Sequence, residues 1–130
     1  MLEIHPVESK DEQKRICGLC GIVYDADLLC YAAYVDGEIV GASQFKLDGG
    51  CGYVYDLVNT EDKDDENALF VMGRATLNFI DLCGVHMAEY IGKEINTNLL
   101  RLIGYRKNDD GKWKMNLEGF FEAPCQHEPK

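Results

Sequence analysis

The fold is decided by residues 51–91, which read CGYVYDLVNTEDKDDENALFVMGRATLNFIDLCGVHMAEYI. Cys51–Asn59 is rich in tyrosine and valine, as strands are, and the charged run at 60–66 predicts a loop. Apolar residues then recur every three or four positions, which predicts one buried face of a long helix that ends near Gly84. These residues are Ala68, Met72, Ala75, Phe79 and Leu82. A strand over 85–91 follows, so the stretch predicts one parallel crossover connection.

The N-terminal region predicts a strand followed by a helix. Residues 2–5 form a short strand that Pro6 ends. Ser9 and Glu12 have the spacing of a capping box, which predicts the start of a helix. Apolar residues follow at helical spacing, at Ile16, Leu19 and Val23.

Between this helix and the crossover, the sequence predicts an antiparallel meander. Residues 28–35 and 38–47 are apolar strands joined by the hairpin turn Asp36-Gly37. The turn at 48–50 then leads into Cys51–Asn59, the third strand of the meander.

The C-terminal region predicts a short helix and a hairpin. Thr97–Ile103 is a helix that ends at Gly104, and a strand begins at 105–107. Apolar and polar residues alternate over 113–118, which is typical of a half-exposed antiparallel strand.

These elements predict a single α/β (α+β) domain over residues 1–130. Its sheet is expected to be mixed but mostly antiparallel, with six to seven strands and helices on both faces. Residues 123–130 are polar and are expected to form a mobile tail.

The charge and the apolar pattern exclude several classes of partner. The net charge is −10, so a general phosphate-backbone interaction with nucleic acid is not expected. The sequence contains no apolar run near 18 residues and no signal-peptide pattern at its start, which predicts a cytoplasmic protein without membrane contact. We therefore expect a small domain of bacterial type that is located in the cytoplasm.

The six cysteines are expected to be reduced thiols, four of them in apolar surroundings. The four are Cys17, Cys30, Cys51 and Cys83. Cys17 and Cys20 form a C-x-x-C pair, but they lie near the end of a helix, where the helix dipole does not favour a thiolate. A zinc site would need Cys125 and His127 to fold back onto this pair, and no metal is predicted.

Two segments resemble the GNAT superfamily of N-acetyltransferases. GRATLNFIDLCGV at 73–85 looks like the core helix of that family running into a strand, and NLLRLIGY at 98–105 looks like its short helix. The order of elements extends the likeness over almost the whole chain. The resemblance implies acetyl-CoA as cofactor and an amine, of a small molecule or a protein, as acceptor.

The resemblance also implies where the site lies. The cofactor would bind where the third meander strand separates from the next parallel strand, and at the start of the long helix. The implied residues are Leu57, Val58, Asn59, Asn67 and Ala68. Asp56 and Glu89 are the candidate catalytic bases, because a carboxylate in a partly apolar cleft has a raised pKa and can take a proton from an ammonium group.

Two positions depart from the pattern of the family. Its diphosphate motif, Q/R-x-x-G-x-G/A, corresponds to DDENAL at 64–69, without glycine. Repulsion from a carboxylate ~6 Å away weakens the binding of a phosphate by about 0.7 to 3 kcal/mol. These acidic residues also suit a helix N-terminus. Leu100 stands where many members carry a tyrosine that protonates the leaving thiolate.

Two hypotheses of function therefore remain open. One is an acetyltransferase-like enzyme that acts on an amine of unknown identity. The other is a binding or regulatory domain of the same fold that has lost transfer chemistry.

Phe120 and Phe121 also suggest a homodimer contact, because adjacent strand residues face opposite ways and one ring is hard to bury.

Overall fold

A computed structural model describes residues 1–93 and 95–121. This part of the chain contains seven strands in one sheet and three helices. The elements are β1 Leu2–Pro6, α1 Lys10–Cys20, β2 Leu29–Val35, β3 Glu38–Asp48, β4 Cys51–Asn59, α2 Glu66–Leu82, β5 Met87–Tyr90, α3 Thr97–Ile103, β6 Arg106–Lys107 and β7 Trp113–Asn116. The expected tail at 123–130 lies outside the described residues.

The sheet has the order β1-β2-β3-β4-β5-β7-β6. All neighbouring strands are antiparallel except β4 and β5, which run parallel with Gly52 beside Ala88 and Val54 beside Tyr90. The predicted fold class and the single parallel crossover are therefore confirmed.

Helices cover both faces of the sheet. Side chains of adjacent strand residues point to opposite faces, and Ala32 and Ala33 of β2 accordingly belong to different buried clusters. Ala32 packs with Ile16 of α1, whereas Ala33 belongs to the larger cluster that contains Met72 and Leu77 of α2.

The N-terminus of α1 has the predicted cap. The Ser9 hydroxyl accepts a hydrogen bond from the Glu12 backbone N–H at 3.2 Å, while the Glu12 carboxylate pairs with Arg15. Of the three apolar residues noted at helical spacing, Ile16 is buried, but Leu19 and Val23 are 44% and 85% exposed. The helix ends at Cys20, so Val23 lies in the following loop, and the buried face consists of Gln13, Ile16, Cys17 and Cys20.

The buried face of α2 differs in part from the prediction. Ala68 and Met72 are buried, but Ala75 and Phe79 are only partly buried and Leu82 is 75% exposed. Gly73 and Thr76 are buried instead. A Cβ at Gly73 would come 2.8 Å from Ile103, and the Thr76 hydroxyl bonds to Met72 O and Ser43. The buried face is completed by the apolar residues Leu69, Leu77 and Ile80, so it remains an apolar stripe, rotated relative to the predicted one.

The cysteines follow the prediction except at one position. Cys17, Cys20 and Cys30 are buried and Cys51 is half-buried. Cys83 is exposed because it lies at the C-cap of α2, so the prediction of apolar surroundings for it is wrong.

Candidate functional site

A bulge in β4 gives the sheet its candidate site. In the register between β3 and β4, Gln44 pairs with Asp56 and Phe45 pairs with Val54, so Tyr55 is an extra residue. Val54 and Leu57 consequently both join the core against α2. Asp56 faces the other side of the sheet, where the loop at 21–28 lies.

β4 and β5 separate immediately after the bulge. Their pairing ends at Val54 and Tyr90, and the last bond runs from Ile91 N–H to Val54 O at 2.9 Å. β4 continues for five more residues, to Asn59. Thr60 N–H bonds to Val40 O of β3, so by alternation the backbone groups of Leu57 and Asn59 face the opening.

A cavity of about 430 Å³ lies beside this opening. One wall is the loop between α1 and β2, and the other is formed by β4 and the end of β5. The lining residues used below are Val23, Leu28, Asp56, Val58, Tyr90 and Lys93. The wall is largely apolar and carries two carboxyls, Asp25 and Asp56, and one ammonium, Lys93. The excess of carboxyls over ammonium groups suits an organic cation.

Asp56 is the carboxyl that the structure brings to this cavity. Burial raises the pKa of Asp56, and the hydrogen bond from Gln44 Nε2 to Asp56 Oδ2, 2.8 Å long, opposes that rise with a smaller effect. A raised pKa makes the carboxylate a better proton acceptor for an ammonium group than an exposed aspartate is.

Glu89 occupies a different place. It lies half-buried on β5, beside Tyr53 of β4 and Lys114 of β7, and it does not line the cavity. Of the two candidate carboxyls, the structure therefore brings Asp56 and not Glu89 to the cavity.

The expected cofactor-binding residues of β4 lie at the opening. Leu57 is buried through its side chain, and Val58 lines the cavity. The Asn59 side chain holds the following loop, because its Oδ1 accepts from Asp65 N–H at 3.0 Å and its Nδ2 donates to Val40 O at 3.0 Å. The backbone of this segment can pair with the amides of a pantetheine arm as a further strand would.

The first turn of α2 is occupied by its own side chains. Asp65 is the N-cap, and its Oδ1 accepts from Ala68 N–H at 3.0 Å. Glu66 accepts from Asn96 Nδ2 at 2.8 Å, and Asn67 is exposed. Lys63 is engaged with Glu38 at 3.3 Å and with Asp62 at 3.8 Å. The pantetheine arm of coenzyme A therefore fits the open edge of β4, whereas its diphosphate does not fit this turn.

No tyrosine replaces Leu100, which is fully buried in α3. Tyr105 is also buried, and burial raises its pKa. Tyr55 and Tyr90 both lie at the cavity wall. The Tyr90 hydroxyl donates to Lys93 O, and burial raises the pKa of Tyr90 as well.

The C-x-x-C pair has the properties of buried thiols. Burial raises the pKa of Cys17 to about 11 and that of Cys20 to about 12, so both remain protonated at neutral pH. No group of three or more His, Cys, Asp or Glu residues is arranged to bind a metal within residues 1–93 and 95–121. Cys125 and His127 lie outside these residues.

Comparison with known proteins bears on the fold. No protein-family profile matches the sequence, and no curated protein matches it. Among solved structures, the ribosomal-protein-S18-alanine N-acetyltransferase of Escherichia coli superposes with a TM-score of 0.68 at 10% identity, over 90% of this chain and 94% of that one. The chain has the GNAT fold. The PaiA N-acetyltransferase of Thermoplasma acidophilum, solved with coenzyme A, matches with a TM-score of 0.67 at 9% identity over 89% and 99% of the two chains.

A third solved structure extends the likeness of this GNAT domain. The IAA acetyltransferase of Bacillus cereus matches with a TM-score of 0.70 at 13% identity, over 90% of this chain and all of that one.

Among the helices of the described residues, none is long and apolar enough to cross a bilayer.

Gly92 tests where the two strands must part. A Cβ at this position would lie 2.3 Å from the Tyr55 carbonyl oxygen, which is a backbone atom. Gly92→Ala is expected to lower the free energy of unfolding by about 1 to 3 kcal/mol, measured by urea denaturation. Gly18→Ala is the matched control, because a Cβ there meets nothing within 4 Å. As a helix position it is expected to gain about 0.5 to 1 kcal/mol, and equal losses in both variants would contradict the assignment.

Asp56→Asn tests the cost of the buried carboxyl. Burial raises the pKa of Asp56 above its ordinary value of 3.8, so the folded state binds an extra proton between these values and loses stability as the pH rises through them. The variant lacks this loss. It is expected to melt at the same or a higher temperature than wild type at pH 7, with the gap closing towards pH 3. A variant that is less stable at pH 7 would show that the charge stabilises the fold.

Proposed function

We propose that this GNAT domain transfers an acetyl group from acetyl-CoA to an amine of a small molecule or a protein, with Asp56 as the base. The observation that carries the proposal is the half-buried Asp56 carboxyl, with its raised pKa, in the wall of a cavity that adjoins the open edge of β4. The net charge of −10 also favours the approach of a cationic acceptor.

In this proposal each residue has a limited task. The thioester of the donor supplies an activated acyl group. Asp56 binds the ammonium of the acceptor, takes one proton and leaves the nitrogen with a lone pair for attack on the thioester carbonyl. As the new N–C bond forms, the C–S bond breaks, and the leaving thiolate takes the second proton of the amine. The backbone of Leu57 and Asn59 holds the pantetheine amides. Val23, Leu28 and Val58 exclude water from the cleft and contact the apolar part of the acceptor.

The second candidate is an amine-binding or regulatory domain without transfer activity. The occupied first turn of α2 favours it, because Asp65 takes the Ala68 N–H at the place where the diphosphate of the family's cofactor lies. The absence of a tyrosine at Leu100 points the same way.

Cofactor titration separates the two candidates. Binding of acetyl-CoA at 100 times its dissociation constant is expected to raise the free energy of unfolding by about 2.7 kcal/mol, measured by thermal shift and calorimetry. Mass spectrometry of a panel of amines incubated with acetyl-CoA then identifies acetylated products. Asp56→Asn is expected to retain donor binding and to lose product formation. The absence of any thermal shift at millimolar acetyl-CoA would reject the enzyme and favour the binding domain.

The acidic first turn of α2 predicts weak recognition of the diphosphate. Because repulsion opposes the diphosphate, acetyl-CoA is expected to bind wild type no more tightly than acetyl-pantetheine does in calorimetry. The double variant Asp64→Asn with Glu66→Gln removes two carboxylates and keeps the Asp65 cap. It is expected to bind acetyl-CoA at least about tenfold more tightly, because each carboxylate removed takes away about 0.7 kcal/mol or more of repulsion, with acetyl-pantetheine unchanged. An equal gain for both donors would show that the carboxylates act on something other than the diphosphate.

A further inference from the structure

Two buried glutamines connect Lys10, an exposed residue at the start of α1, to the half-buried Asp56. Lys10 Nζ donates to Gln13 Oε1 at 3.0 Å, and Gln13 Nε2 donates to Gln44 Oε1 at 2.8 Å. Gln44 Nε2 then donates to Asp56 Oδ2 at 2.8 Å. Both glutamines are 0% exposed, so each polar atom needs a partner within the protein.

The direction of these hydrogen bonds is set at the end remote from Asp56. An ammonium group can only donate, so Lys10 must meet the oxygen of the Gln13 amide, and the Gln13 nitrogen is left for Gln44. Gln44 must then present its oxygen to Gln13 and its nitrogen to Asp56. Backbone carbonyls, which can only accept, reinforce this order: Gln13 Nε2 lies 3.3 Å from Leu28 O, and Gln44 Nε2 lies 2.9 Å from Val23 O.

We propose that Lys10, Gln13 and Gln44 form a positioning relay that keeps Oδ2 of Asp56 as a permanent hydrogen-bond acceptor and leaves Oδ1 as the oxygen that binds and takes the proton. The use of that proton in acyl transfer rests on the proposed function, whereas the order of the hydrogen bonds does not. Gln44 contacts Asp56 directly, whereas Lys10 and Gln13 act through it.

The same relay positions the opposite wall of the cavity. Lys10 also donates to Leu28 O at 2.8 Å, and Gln44 to Val23 O, so both ends of the loop at 21–28 are tied to groups that orient the base. Val23 and Leu28 line the cavity together with Asp56. The distance between the base and the wall that faces the acceptor is therefore set by one set of hydrogen bonds.

Other titratable groups approach Asp56 from each surrounding element. They are Lys10, Cys17 and Cys20 of α1, Asp25 of the loop, Cys30 of β2, Tyr55 of β4, and Tyr90 and Lys93 at the end of β5. Burial raises the pKa of the three thiols to about 11 or 12 and that of Tyr90 further, so these groups do not titrate together with Asp56. Asp25 is the second carboxyl of the cavity wall and must be followed separately.

The test is a pH titration of the free protein by nuclear magnetic resonance. The ¹³C signal of the Asp56 carboxyl is assigned with Asp56→Asn, and that of Asp25 with Asp25→Asn. In wild type, the side-chain amide signals of Gln44 and Gln13 are expected to shift with the Asp56 midpoint. Side-chain amide signals that do not shift as the pH passes the Asp56 midpoint would overturn the relay.

Two lysine variants on α1 test the end of the relay that is farthest from Asp56. Lys10→Met removes the ammonium and is expected to raise the Asp56 midpoint by about 0.3 to 0.5 pH units, because the amides lose their fixed order. Lys14→Met removes the same charge one turn along α1, from an exposed residue, and is expected to shift the midpoint by less than about 0.1. Equal shifts in the two variants would assign the effect to ordinary long-range charge.

Gln13→Glu breaks the order without touching Asp56. A carboxylate accepts from Lys10 but cannot donate to Gln44, so it faces the Gln44 oxygen unless the Gln44 amide turns and gives up its bonds to Val23 O and Asp56 Oδ2. Either arrangement disfavours the charged form of Asp56. The Asp56 midpoint is expected to rise by more than about one pH unit, and an unchanged midpoint would contradict the relay. If this variant fails to fold, the two lysine variants still decide. The sample contains no acyl donor or amine, so a protein without transfer activity can still pass or fail this test.

Discussion

One extra residue in β4, Tyr55, is the constraint on which the candidate site depends. In a regular strand, Val54 and Asp56 would face the same side of the sheet. The bulge instead leaves Val54 and Leu57 in the core against α2 and turns Asp56 to the side of α1. It also coincides with the point where β5 leaves β4, because Gly92 passes directly against the Tyr55 carbonyl. The carboxyl and the open backbone edge thus come from the same local irregularity.

The two halves of the site have different electrostatic character. The cavity combines an apolar cleft with two carboxyls, Asp25 and Asp56, and one ammonium, Lys93, so negative groups are in excess there. At the start of α2, Asp65 takes the Ala68 N–H, and Glu66 adds a further carboxylate that bonds to Asn96. Both halves therefore disfavour negative charge, and the chain as a whole carries −10.

The buried glutamines explain how the fold tolerates a carboxyl at this depth. An unpaired buried polar group is costly, whereas a fully satisfied network stabilises one arrangement of its members. Within the described residues, no buried side-chain nitrogen or oxygen lacks a partner. Gln13 and Gln44 bond to each other, to backbone carbonyls and to the two charged ends, so the polar groups join α1, β3, β4 and the loop at 21–28.

Local signals in the sequence determined much of the fold. The bounds of β4 and α3 are as predicted, and the Ser9 cap is present. The crossover was predicted from one strand, one long helix and one further strand. These features depend on neighbours in sequence. Asp56 was recognisable as a candidate base, although Glu89 was equally so, because sequence alone does not show which carboxyl reaches a cavity. Gln44 carried one signal, as an amide in the otherwise apolar run IVGASQF, and Gln13 carried none that separates it from a surface residue. The bulge, the buried side of α1 and the relay were decided only by tertiary structure, because each depends on which distant backbone and side-chain groups meet.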